Sequence, residues 1–183
     1  MKVSISTENG SAREELVKTE LEGLLKQYNV EKYSFTDKVI IEEGVIPHSH
    51  PVITLNTRRY EIPERTLTTY IHEQLHHYFE DHKGHEQSAI KILEEKYPSV
   101  PVGFPDGARD EYSTRLHLLL CTLEFKAAKD LFGSEKADEL MGYWKQNYYR
   151  WIFETVDKDY EELAASSKNT TFISNWSSMH DLI

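Results

Sequence analysis

The segment from Pro63 to Asp81 reads PERTLTTYIHEQLHHYFED, and the spacing of its apolar residues organises the rest of the chain. Leu67, Ile71, Leu75 and Tyr78 or Phe79 recur three or four positions apart, the interval of one stripe along an α-helix. Pro63 suits the first turn of such a helix, where its missing N–H leaves nothing unsatisfied. The pattern predicts a helix over 63–81 with one face turned to a core. Another face carries His72 and His76, four residues apart and so one above the other, with Glu73 beside them.

Upstream, SAREELVKTELEGLLKQY sets Leu16, Leu21, Leu24 and Leu25 among charges at helical spacing, with Ser11 as N-cap and Glu14 completing a capping box. YSFTDKVIIEEGVI and PVITLNTRRY gather β-branched and aromatic residues in short runs bounded by Gly, Pro and Asn, and predict two or three strands. Downstream, Gly84 is a candidate stop for the 63–81 helix, and HEQSAIKILEEKY predicts a shorter helix ending before Pro98. PSVPVGFPDG is a loop. A long helix, apolar on nearly every side, is expected from about 108 to 132 with Gly133 as its stop, and a last one over roughly 135–157. From about 165 to 183 the chain is polar and reads as a loosely ordered tail.

These elements predict one α+β domain over 1–183, dominated by helices, with a small N-terminal sheet over the 63–81 helix and a helical C-terminal half. The 183 residues are enough to enclose a core, and 39% hydrophobic content with 11 Tyr, 7 Phe and 3 Trp marks a globular chain. A formal charge of −10 with no Lys/Arg cluster argues against nucleic acid as a partner and fits poorly with an anionic membrane. No apolar run reaches the length of a membrane span, and the first residues, MKVSISTENGS, do not resemble a signal peptide. Cys121 is the sole cysteine, so no disulfide framework or thiolate cluster is expected, and a cytoplasmic protein is the simplest reading. The triplets at Asn169 and Asn175 would matter only in a secreted chain.

Two histidines one helical turn apart can hold one metal ion through their ring nitrogens, which makes His72 and His76 candidate ligands of a single Zn²⁺. Glu73 projects beside such an ion and not at it, where it can take a proton from a water that the ion acidifies. HEQLH thereby resembles the HExxH signature of the zincin superfamily of zinc metallopeptidases. The likeness spans one helix, and the strand-like VITLNTR ahead of it agrees with it. It implies Glu-assisted hydrolysis of a peptide or protein substrate, and an active-site helix lying under a sheet whose edge strand aligns that substrate. A zinc-binding regulatory or interaction module without turnover is the alternative, and a helical protein without metal a third reading.

A catalytic zinc site takes a third protein ligand, and several residues compete for the place. His82 completes HEQLHHYFEDH, similar to the metzincin pattern HExxHxxGxxH, but Phe79 stands where that pattern has glycine. Glu94 and Glu95 lie near the interval of the gluzincin glutamate, without its usual neighbours. His117 and Glu124 share one face of the apolar helix, where a lone polar group is costly. His117 is preferred as ligand, with Glu124 orienting it or replacing it. Against this stands a core role, His117 in a simple hydrogen bond and Glu124 paired with Arg115 or Arg150. Tyr112, His77, Tyr148, Tyr149 and Arg150 are candidate oxyanion donors, with Tyr112 foremost. Arg58 and Arg59 could meet an acidic substrate group. Cys121 reads as core, and His48, His50 and His85 as surface or loop residues.

Overall fold

Ser11 begins the first helix as the sequence predicts: its hydroxyl accepts the Glu14 N–H at 3.2 Å, and the Glu14 carboxylate accepts the Ser11 N–H at 3.1 Å. In this computed structural model, which describes residues 2–58 and 62–169, the chain divides into two compact units, Met1–Glu80 and Asp81–Ile183. Its class is helix-dominated α+β, with six α-helices and one three-stranded N-terminal sheet among the described residues.

In the first unit the strands are β1 (Ser4–Thr7), β2 (Lys38–Ile41) and β3 (Ile53–Leu55), all parallel and adjacent in sequence order. Helix α1 (Ala12–Gln27) connects β1 to β2 and packs on both. Val17, Leu21 and Leu24 form its buried stripe, whereas Leu16 is half exposed, one position off the face that the leucine spacing suggested. Val39, Ile41, Ile53 and Leu55 are buried in the sheet. At the outer edge of β3, Thr54 exchanges both backbone hydrogen bonds with His48, at 2.8 and 3.0 Å.

Helix α2 (Pro63–Asp81) begins at its proline, and Leu67, Ile71, Leu75, Tyr78 and Phe79 are all buried. Each contributes about 2 kcal/mol by leaving water. The adjoining face, with Thr66, Tyr70 and Gln74, is buried as well and is pinned by polar contacts. Thr66 donates to Glu20 of α1 at 3.0 Å, and the Tyr70 and Ser34 hydroxyls meet at 2.7 Å. Gln74, fully buried, accepts from the Phe35 and Thr36 N–H groups at 2.6 and 2.8 Å and donates to the Thr36 carbonyl at 2.9 Å. α2 is thus keyed to the segment entering β2.

The second unit holds α3 (Lys83–Lys96), α4 (Glu111–Phe132), α5 (Ser134–Asn147) and α6 (Arg150–Asn169). α4 packs against the other three. It starts at Asp110, whose carboxylate caps the Ser113 N–H at 2.7 Å, slightly later than the hydrophobic run implied. Gly133, with φ of +83°, ends it. Gly84 does not stop α2; it lies in the first turn of α3, and the break falls at His82. The expected final helix is two helices, and residues 165–169 continue α6 where a loose tail was expected; 170–183 lie outside the described residues, as does Asn175. Buried Arg115 donates to the Tyr97 and Pro98 carbonyls at 3.0 Å each, just beyond the end of α3. Gly107 lies against Pro101 so tightly that a Cβ there would come within 2.1 Å of the Pro101 carbonyl oxygen. Among the described residues, no helix is long and apolar enough to cross a membrane.

Replacing Gln74 with Leu strands two buried N–H groups, and urea unfolding is expected to show a loss of about 3 kcal/mol. Glu14 supplies a pH test. Burial pushes its carboxyl up, but N–H groups of Glu43, Ser11 and Asn9 and the Asn9 amide outweigh that and hold its pKa at about 2, below the usual 4.5. Its contribution is therefore complete above 4.5 and is lost as pH falls from there toward 2. The gap in unfolding midpoint between the parent and Glu14→Gln is expected to be constant above that window and to close within it.

Candidate metal centre

On α2 the four-residue interval sets the His72 and His76 rings edge to face, with centroids 5.2 Å apart. Both are partly exposed, so each ring can meet an incoming ligand. Glu73, one position round the helix from His72, is buried at 6% exposure. The three residues of the motif thus lie within about one turn, two imidazoles with a carboxylate held out of bulk water beside them. Two imidazoles one turn apart can hold a divalent ion such as Zn²⁺.

The third-ligand candidates lie in the second unit. Glu94 and Glu95 are exposed on α3. His82 precedes α3, its ring stacked on His85 at 5.8 Å. His117 is partly exposed on α4, and its Nδ1 lies 2.7 Å from the Ser113 carbonyl oxygen, one turn back. A carbonyl only accepts, so the ring proton is on Nδ1 and Nε2 carries the lone pair. Backbone anchoring of this kind fixes a metal-binding histidine in orientation and tautomer. The Tyr149 hydroxyl is 3.3 Å from that Nε2. Tyr149 has a φ of +48°, an uncommon backbone for a side chain of its size, and this turn between α5 and α6 lays its ring 4.7 Å from the His117 ring.

Glu124 is buried at 5% exposure, and the arginines that a core role would give it are engaged elsewhere. Arg115 bonds to Glu111 and the end of α3, and Arg150 to Asp106 at 2.9 Å. Cys121 is buried and not in a disulfide. Tyr112 donates its hydroxyl to buried Glu86, and burial together with that carboxylate pushes its pKa up to about 12. His77 donates to the Ser49 carbonyl at 2.9 Å. Arg58 is exposed beyond β3, and Arg59 lies outside the described residues.

Tyr149 is one of five candidate donors in the sequence, and its turn singles it out. One feature of the sites went unread. His50, assigned to a loop surface, lies against His77 and Glu80 of α2, and the one signal for that grouping was the three-residue interval between His77 and Glu80. Comparison of the chain with protein-family models, curated proteins and solved structures gives no match.

Since Tyr112 is committed to Glu86, Tyr112→Phe is expected to lower stability by about 1–2 kcal/mol in denaturant titration. The same variant is expected to keep the parent's zinc affinity in a competition assay with a chromogenic chelator.

Proposed function

We propose that the chain is a zinc-dependent peptidase in which His72, His76 and His117 hold one Zn²⁺ and Glu73 is the general base. The observation that carries this reading is the turn of α2 that pairs two partly exposed histidines with a buried carboxylate. A resident ion needs no base beside its ligands, whereas hydrolysis does. The Nδ1 anchor of His117 supports its role as third ligand, with Glu124 as the alternative. When bound, zinc supplies a Lewis acid for a carbonyl oxygen and brings the pKa of a coordinated water to about 7.

Glu73 takes the proton from the attacking water and returns it to the leaving amine. Burial keeps its carboxylate positioned and limits competing solvent. The Tyr149 hydroxyl, 3.3 Å from His117 Nε2, would donate instead to the oxygen that gains charge in the transition state once that nitrogen's lone pair is taken by the ion. A peptide or protein substrate follows from the HExxH likeness, as does a zincin-like fold. An acidic surface does not favour nucleic acid or anionic lipid as partners. A cytoplasmic location rests on the single, buried cysteine.

One observation favours the non-catalytic zinc module instead: His48 already occupies the Thr54 backbone groups on the β3 edge, where an extended substrate would align. Cleavage of a peptide library by the parent and by Glu73→Gln separates the two. The peptidase predicts a fall of at least about 100-fold in Glu73→Gln with zinc retained; equal cleavage by both, or none by either with zinc bound, rejects it. His72→Ala and His117→Ala are expected to weaken zinc binding to a similar degree. Zinc kept in His117→Ala and lost in Glu124→Ala transfers the third position to the glutamate.

A further inference from the structure

We propose a second divalent-metal site within the first unit, formed by His50, His77 and Glu80. It shares no ligand with the proposed catalytic centre. His77 and Glu80 are three apart on α2 and so project on one side of it. The loop between β2 and β3 brings His50 onto that side, its ring 4.4 Å from the His77 ring with 32° between their planes. Each of the three residues offers a ligand atom, and these atoms lie within 4.8 Å of one another.

Ser49 orients both histidines. Its carbonyl accepts from His77 Nε2 at 2.9 Å, so the His77 proton is on Nε2 and its lone pair is on Nδ1. Its hydroxyl lies 2.8 Å from His50 Nδ1, which turns His50 Nε2 toward the Glu80 carboxylate, to which it is hydrogen-bonded. One residue thus sets the ring orientation of two ligands, the outer-shell arrangement that metal-binding histidines use. Binding of a cation at His50 Nε2 shifts the ring proton to Nδ1, where the Ser49 hydroxyl oxygen accepts it.

Two imidazoles and one carboxylate suit Zn²⁺ or Co²⁺ more than Ca²⁺ or Mg²⁺, which favour all-oxygen sites. His50 and Glu80 are each about half exposed, so water completes the coordination sphere. An ion here ties the β2–β3 loop to α2, and it stabilises the first unit by mass action. The net charge of −10 raises the local concentration of cations.

The test is the binding stoichiometry of zinc, and of cobalt(II) read by its visible absorption, on the full chain stripped by chelator and dialysed. Two zinc ions per chain are expected for the parent. One is expected for His50→Ala and one for Glu80→Gln, the latter a surface change that keeps a hydrogen-bonding group, with unaltered circular dichroism in each. A His72→Ala/His76→Ala variant is expected to keep one ion, and adding His50→Ala to it removes that ion. Parent stoichiometry unchanged by both His50→Ala and Glu80→Gln overturns the second site, whatever becomes of the catalytic reading. A single ion in the parent that survives His72→Ala/His76→Ala and is lost in Glu80→Gln upholds this site and rejects the other.

Discussion

A side-chain amide removed entirely from water must satisfy its carbonyl and its NH₂ group within the protein, and Gln74 does so on one short stretch of backbone. Its neighbours in the motif inherit their directions from that bond. With Gln74 tied to residues 35 and 36, rotation of α2 about its axis would break three hydrogen bonds and expose Leu67, Ile71 and Leu75. The orientations of His72, Glu73 and His76 are therefore set by the residue that the HExxH pattern leaves unspecified. Tyr70 on Ser34 adds a second fixed point one turn away. A metal site built on such a helix needs little reorganisation on binding.

Elements with strong local chemistry were legible from the residues. The capping box at Ser11, the proline start of α2, its buried stripe and the Gly133 stop each state their structure within a few positions. Elements that depend on partners were not. β1 is four residues long with no residue fully buried, and becomes a strand because β2 lies beside it. Leu16 looks like core by type and spacing, but α1 turns it outward to bury Val17. Tyr148 and Tyr149 match the helical pattern around them, and only their backbone, extended at Tyr148 and left-handed at Tyr149, separates α5 from α6.

The same division holds for the sites. An interval of four along one helix is local, so His72, Glu73 and His76 could be named from it. A third ligand must arrive from elsewhere in the chain, and the sequence offers only a residue type in an apolar setting. His117 gained a specific argument from its Ser113 carbonyl, a contact with no counterpart in the spacing of charged or apolar residues. His50 was invisible for a comparable reason: nothing in IPHSHPVI indicates which helix the loop will reach.

Arg115 carries a consequence for cooperativity. Helix ends normally fray because their last carbonyl groups have only water to turn to. Here a guanidinium rooted in the second turn of α4 takes up carbonyls at the exit of α3, and its own charge is met by Glu111. The end of α3 can loosen only if Arg115 is left buried without its acceptors. Local opening is thereby converted into an event shared by two helices, which couples the fraying of one to the other.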